Sequence, residues 1–300
     1  MRSYLKLIKL DNLLIIALAQ LCLKYGLFEP FGIDITLNHF GIFLLILSTV
    51  LIAGAGNIII EIYNRETSDP KNLLYGSISE KSANKLFIIL NVIGVSIGFY
   101  LANMIGRPGF AAIFIIVSGI FYVYASYLKE IVVLKNCIPA ILAGLSLIVI
   151  GVFDLLPAIT PKNKASQTVI FSIILDYALF SFIIVVLREI LKDCLHMDRD
   201  HNIQIRTIPV ILGKSRTIKL IGVLTALPIA CVFIYIYTYL FSNTEAVLFV
   251  LSLIIAPLLY FMIKCFYSES DKSLRHLSLV LKGILVTTSF SLLLYQFVLK

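Results

Sequence analysis

Charged residues make up only 14% of this 300-residue chain, roughly half of what a soluble globular protein carries. With 60% hydrophobic residues and a mean hydropathy of +0.99, that scarcity excludes a soluble domain and points to a polytopic membrane protein. Acid is scarcer still than base: 17 Asp and Glu stand against 25 Lys and Arg, for a net charge of +8. The basic residues do not form one block; they are scattered beside apolar runs. They are read as topology signals and phosphate contacts, and no nucleic-acid partner is expected. Zinc-type spacing is also missing. The cysteines Cys22, Cys137, Cys194, Cys231 and Cys265 are far apart and form no CxxC pair, so they are expected to be inert. The alternating pattern of a barrel strand is absent, since runs such as FIIVVL and LFVLSLIIAPLLYFMI are unbroken. No small-residue cleavage site follows the first apolar run, so no cleavable signal peptide is expected. Nothing between the apolar runs is long enough to fold separately. Residues 1–300 are therefore expected to form a single all-α transmembrane domain.

What the chain has in abundance is apolar sequence long enough to span a bilayer, which takes about 20 residues per helix. Nine runs qualify: 11–28, 39–63, 84–105, 108–127, 135–154, 168–192, 217–241, 245–266 and 279–298. Nine spans put the termini on opposite sides. With that threading, 20 of the 25 Lys and Arg lie on the N-terminal side. The N-terminus is therefore expected in the cytoplasm, in a bacterial inner membrane. The cytoplasmic connections after the second and sixth runs are long, near 20 residues each, as functional loops often are. Pro228 and Pro257 are expected to kink their helices. Gly54, Gly56, Gly94 and Gly98 read as close helix packing.

Two polar stripes interrupt the apolar pattern, both on the side expected to be cytoplasmic. The second, REILKDCLHMDRDHNIQIRTIPVILG (188–213), carries Asp193, Asp198 and Asp200 among Arg188, Lys192, Arg199 and Arg206. On one continuous helix Glu189, Asp193, His196 and Asp200 would share a face. Magnesium takes oxygen ligands of this kind and completes its shell with water and phosphate. Arg188, Lys192 and Arg206 would neutralise the remaining phosphate charge. The plainer alternative is a solvated loop whose charges pair among themselves. The first stripe is Asn57, Glu61, Asn64 and Ser68, with Asp69 one residue off register. An ionisable group in an apolar run is a functional candidate, although Asn57 and Glu61 could equally bond neighbouring helices. A third place, YASYLKEIVVLKN (124–136), puts Tyr127 and Lys129 at the same side. Lys129 there is either a phosphate contact or a snorkelling interface lysine beside a belt tyrosine.

Together these segments resemble the UbiA family of intramembrane prenyltransferases. REILKDCLHMDRD followed by RTIPVILGK is similar to the family's second aspartate-rich motif and the segment after it. GNIIIEIYNRETSD resembles the first motif, normally NDxxDxxxD, and YLK with Asn136 the tyrosine-lysine segment. KLDNLL near the start and the count of nine helices agree as well. The first motif departs from the pattern: Glu61 stands for an aspartate, and Asn64 and Ser68 replace the next two. In the second, His196 occupies a usually acidic place.

The resemblance implies transfer of a polyprenyl group, geranylgeranyl or similar, from its diphosphate to a lipophilic acceptor such as a glycerol phosphate or a quinone precursor. It also implies Mg2+ as cofactor. Metal ligands would be Glu61, Asn64, Asp193, Asp198 and Asp200. Asn57, Lys129, Arg188, Lys192 and Arg206 would hold the diphosphate. Asp193, Asp200, Lys129 and Tyr127 would be closest to the chemistry. The partners are then a prenyl diphosphate, the acceptor and membrane lipids. Three other readings compete. One is a weakly active or inactive prenyl-lipid binder. A second is a transporter, against which the crowding of polar residues at one membrane side argues. The third, a phosphatidyl-type transferase, lacks its DG…AR…G…D…D signature here.

Overall fold

The computed structural model describes residues 2–64, 78–202, 204–268 and 270–298. Among them regular structure is wholly helical, and nine helices are long and apolar enough to cross a membrane. They are α1 (Leu10–Phe28), α2 (His39–Asn64), α3 (Glu80–Met104), α4 (Pro108–Ser126), α5 (Val132–Ala158), α6 (Lys164–Leu195), α7 (Lys214–Leu240), α8 (Thr244–Tyr267) and α9 (Asp271–Leu294). Each coincides with one of the nine expected runs. The largest differences are at N-termini, where polar first turns lengthen the helix beyond its apolar part. Ser79 caps α3 by accepting from the Ser82 amide, and Ser270 caps α9 by accepting from the Ser273 amide. Such caps satisfy amides that a helix start leaves without carbonyl partners.

The expected loop after α6 instead contains two short helices, Met197–Asn202 and Ile208–Leu212. Gly213 ends the latter with φ +88°, a conformation costly for any side-chain-bearing residue. Pro257 follows a π-helical turn at Leu251–Ile255, where the widened ladder absorbs the missing proline N–H. Pro228 lies in the second half of α7, just past the interruption of its regular helix at Thr225.

The chain forms two compact units. The first takes the described residues of Met1–Gln20, Ile33–Lys129 and Ile148–Phe171. In it α2 packs along α3 and α4 through missing side chains. A Cβ on Gly98 would lie 2.2 Å from the Phe114 ring, and one on Gly56 2.3 Å from the Phe121 ring. At Gly94 the helices are close enough for Ser48 Oγ to donate to the glycine carbonyl at 2.7 Å. Small residues at membrane helix contacts permit this approach. At one end of the unit the fully buried Asp154 accepts from the amides of Thr36 and Leu37 at 3.0 and 2.7 Å.

The second unit takes Leu21–Gly32, Glu130–Leu147 and the described residues of Ser172–Lys300. Its core runs along α6 at Ile184, Leu187, Leu191 and Cys194 and along α9 at Leu274, Leu277, Leu281 and Ile284. Both series follow the three-to-four-residue period of a helix face. Tyr177 of α6 and Ser291 of α9 share a 2.7 Å hydrogen bond, and Tyr235 of α7 bonds Tyr295. This fixes one end of the unit, leaving the other to the acidic segment.

Candidate functional site

The acidic segment of the second unit is bent where the sequence pattern implied a straight helix. Regular α-helix stops at Leu195 and resumes at Met197. At the bend the His196 amide is shared between the carbonyls of Lys192 and Asp193, both at 3.1 Å. The His196 ring adds a 2.9 Å contact from Nδ1 to the Lys192 carbonyl, supplying a donor to a helix end that has surplus acceptors. Partial loss of solvent, then the charge of Arg199, holds the His196 pKa below the ordinary histidine value. Bonded to a carbonyl, Nδ1 carries the proton in that contact.

The break falls between aspartates that one helix would have carried in register, Asp193 and Asp200, with Asp198 off that face. Asp198 is exposed, whereas Asp193 and Asp200 are buried. On a straight helix residues seven apart rise by about 10.5 Å. Here the two buried carboxylates meet at one point: Lys135 Nζ lies 2.9 Å from Asp193 Oδ1 and 2.9 Å from Asp200 Oδ2. The other two oxygens are also engaged. Asn136 Nδ2 donates to Asp193 Oδ2 at 2.8 Å. Arg199 donates to Asp200 Oδ1 through Nε and Nη2, at 3.1 and 2.9 Å. The amide oxygen of Asn136 is buried and accepts nothing among the described residues, an arrangement that buried polar groups normally avoid. Lys192 bonds Glu189 one turn earlier. Arg206 is exposed and lines a surface hollow with His201, Asn202 and Gln204. Arg188 is half-buried on α6.

Lys135 and Asn136 begin α5, and neither stands out among candidates chosen by charge pattern. Lys135 reads as one more basic residue at the edge of an apolar run, and only the downstream asparagine of the third segment hints at Asn136. Their part in the cluster depends on α5 lying beside α6, which no local pattern encodes.

The first unit carries the other polar stripe. Asn57 Nδ2 donates to the Ile8 carbonyl at 2.9 Å, tying α2 to the turn just before α1. Glu61 and Asn64 follow on the last turns of α2, both half-buried. Lys129 Nζ donates to Asn64 Oδ1 at 3.0 Å and stands 5.8 Å from the centre of the Tyr63 ring, within cation–π range. Tyr63 and Tyr122 join through their hydroxyls at 3.1 Å. Tyr127 is 62% exposed. Ser68 and Asp69 lie outside the described residues.

Nine membrane-length apolar helices ending in two buried carboxylates, paired with a lysine and an arginine, make this a polytopic helical membrane protein with a charged cluster at one end of its second unit. The comparisons with known proteins go further. The model of the UbiA prenyltransferase family matches residues 13–284, and the chain belongs to that family. It is 24% identical over 293 residues to the digeranylgeranylglyceryl phosphate synthase of Methanosphaera stadtmanae, covering 95% of this chain and 96% of that one. Two kinds of solved structure share the fold. A digeranylgeranylglyceryl phosphate synthase in membranes aligns with a TM-score of 0.64 at 18% identity, over 97% of this chain and 98% of that one. A UbiA homologue from Archaeoglobus fulgidus, bound to GPP and Mg2+, aligns with a TM-score of 0.59 at 16% identity, over 97% and 99%. The chain is thus an integral membrane prenyltransferase with the helical fold of this family.

A divalent ion suits the donors found here. Among the described residues no three His, Cys, Asp or Glu side chains gather in one place. A pair of carboxylate ligands is nevertheless what a magnesium ion commonly takes from protein when phosphate and water supply the rest. Asp193 and Asp200 already aim at one position, and the unsatisfied Asn136 oxygen lies beside them.

Proposed function

We propose that this protein transfers a polyprenyl group from its diphosphate to the hydroxyl of a glycerol phosphate lipid. The observation that carries the reading is the convergence of Asp193 and Asp200 on one cation position at the foot of an apolar bundle. The acceptor class is taken from the relative in Methanosphaera stadtmanae, which is named for that product class and matches along nearly its whole length.

In this reading Asp193 and Asp200 of the second unit would hold Mg2+, with Asn136 orienting Asp193, and Glu61 and Asn64 of the first unit are metal-ligand candidates by the family motif. A bound ion there would supply charge withdrawal from the leaving diphosphate. Arg188, Lys192 and Arg206 would supply further positive charge to the phosphate oxygens as the carbon–oxygen bond breaks, and Lys129 is the first unit's candidate phosphate contact. The prenyl tail lies among apolar helix faces, where exclusion of water protects the allylic cation until the acceptor oxygen attacks it. The N-terminus and both acid-bearing segments are assigned to the cytoplasmic side, on the strength of the basic-residue asymmetry.

The test is transfer from labelled geranylgeranyl diphosphate in lipid nanodiscs. One arm offers a geranylgeranylated glycerol phosphate and the other a hydroxybenzoate-type quinone precursor, each with and without Mg2+. Metal-dependent product in the first arm alone is expected. Product in the second arm alone would replace the acceptor. Absence of diphosphate release in either arm would leave a prenyl-lipid binder.

A further inference from the structure

The position on which Asp193 and Asp200 converge is filled by a side chain of the protein itself. Lys135 Nζ is 2.9 Å from each carboxylate. Asn136 and Arg199 take the other two oxygens, so all four carboxylate oxygens are engaged. Among the described residues the two carboxylates face one ammonium and one guanidinium. The Asp200 side chain is 0% exposed and that of Asp193 7%, and charges so placed are stable only when compensated. A bare dication arriving here would either add to the positive charge already facing the two carboxylates or have to displace the ammonium from both of them. Both outcomes are unfavourable.

A dication carried by a diphosphate is a different ligand. The diphosphate brings at least as much negative charge as the ion brings positive. It also offers oxygens to which a displaced ammonium can bond. Lys135 is suited to such a displacement, because its side chain is 18% exposed and stands on four flexible methylenes.

We infer that Lys135 is a built-in counter-ion of the Asp193–Asp200 pair, so that this pair takes up a divalent ion only together with a diphosphate. The inference rests on the metal–diphosphate reading above and adds an order to it. Without substrate the pair is held by lysine; with substrate it passes to the metal and the lysine moves to phosphate. Lys135 acts on the metal through the two aspartates and is a positioning residue.

The experiment is a Mn2+ titration followed by electron paramagnetic resonance, on purified full-length protein in nanodiscs, with and without a non-hydrolysable geranylgeranyl thiolodiphosphate. The wild-type protein is expected to bind no Mn2+ alone through Asp193, and to gain one or more sites when the analogue is added. Lys135→Gln is expected to bind Mn2+ without the analogue at least ten-fold more tightly than wild type. Asp193→Asn in that background should abolish the gain. Lys135→Arg, which keeps the cation, should behave as wild type. Thermal unfolding gives a second readout: Mn2+ alone should raise the midpoint of Lys135→Gln and leave wild type unmoved. Should Lys135→Gln fail to fold, wild type and Lys135→Arg decide the matter by themselves. Binding of Mn2+ alone to wild type, lost in Asp193→Asn, would overturn the lysine's role while keeping the metal site. A Lys135→Gln protein that folds and gains no site would overturn it equally. No Mn2+ uptake by any form, analogue present or not, would remove the metal–diphosphate reading itself.

Discussion

Each unit of this protein places a lysine against an oxygen cluster, and the two clusters are built on opposite principles. In the second unit Lys135 meets two buried carboxylates, and every oxygen of both is engaged. In the first unit Lys129 meets the neutral amide oxygen of Asn64 and the face of Tyr63, next to the exposed Tyr122. The second cluster is compensated and enclosed, so its parts depend on one another. The first is half-buried, and among the described residues the contacts seen at Lys129 are with neutral groups. A change to the second should therefore damage stability and chemistry together, while a change to the first should touch chemistry with little effect on stability.

Asp200→Ala should show the contrast at its largest. It removes a fully buried carboxylate from between Lys135 and Arg199 and leaves two cations facing each other. Breaking a buried pair by deleting one partner costs about 3–5 kcal/mol. Denaturant unfolding in detergent should register that loss, and labelled prenyl transfer should fall by about 100-fold or more, as when an electrostatic stabiliser is removed from an active site. If stability stays within a few tenths of a kcal/mol of wild type, the cluster is not enclosed as described.

The next effect asks where the stability of the first unit resides, if not in its lysine cluster. It should reside in helix contact. Gly98→Ala places a methyl 2.2 Å from a Phe114 ring carbon. Overpacking of this kind costs about 1–3 kcal/mol. Phe114→Ala in the same chain should recover part of the loss, because it empties the space the methyl needs. Unfolding midpoints of the two single variants and the double variant form the measurement. Strict additivity would show that the α3–α4 contact is not the cause.

These two sites also mark how far the sequence could be read. The nine spans were legible because hydropathy integrates over 20 residues, and the glycine contact because GVSIG (94–98) repeats at a helical interval. The resemblance to the family was legible in the second motif, and its first-motif departures at Glu61 and Asn64 are substitutions visible in the residues themselves. The bend at His196 was not legible. No proline or glycine stands there, and the break is made by a ring bonding back to Lys192 and by the pull of Asp200 toward Lys135. The helical spacing already set Asp193 and Asp200 on one face and apart from Asp198, named with them only as a metal ligand, and the structure buries the first and third and exposes the second. Lys135 was legible only as a charge at a membrane edge, since its two partners are 58 and 65 residues further along the chain.

Smaller again is the effect expected at the open cluster. Among the described residues, Lys129→Met deletes the hydrogen bond to Asn64 and the contact with the Tyr63 ring. A typical hydrogen bond contributes about 1 kcal/mol net, so unfolding should change by no more than that. The KM for the prenyl diphosphate should rise by about five-fold, the equivalent of that energy in a charge-assisted phosphate contact. Lys129→Arg should restore most of it. A loss of several kcal/mol in stability would mean that the first cluster is as enclosed as the second, and the contrast between them would fail.

The smallest change tests the contrast from the other side, by making the open cluster more like the enclosed one. Asn64→Asp gives Lys129 a carboxylate where it now has an amide, 3.0 Å away. An ion pair at so open a place is worth about 0–1 kcal/mol, so stability should scarcely move. The chemistry should move more, because a formal charge is added to a ligand position that now offers only a neutral oxygen. The Mg2+ concentration needed for half-maximal transfer should fall, and Glu61→Asp together with Asn64→Asp should lower it further. The reasoning turns on what compensates the new charge. In the second unit a lysine already balances the acids and opposes a bare metal ion. In the first, the new carboxylate would stand one helical turn from Glu61 on α2, which adds negative charge where a dication would bind. A Mg2+ requirement unchanged in both variants would show that the altered residues of the first motif do not limit metal use in this chain.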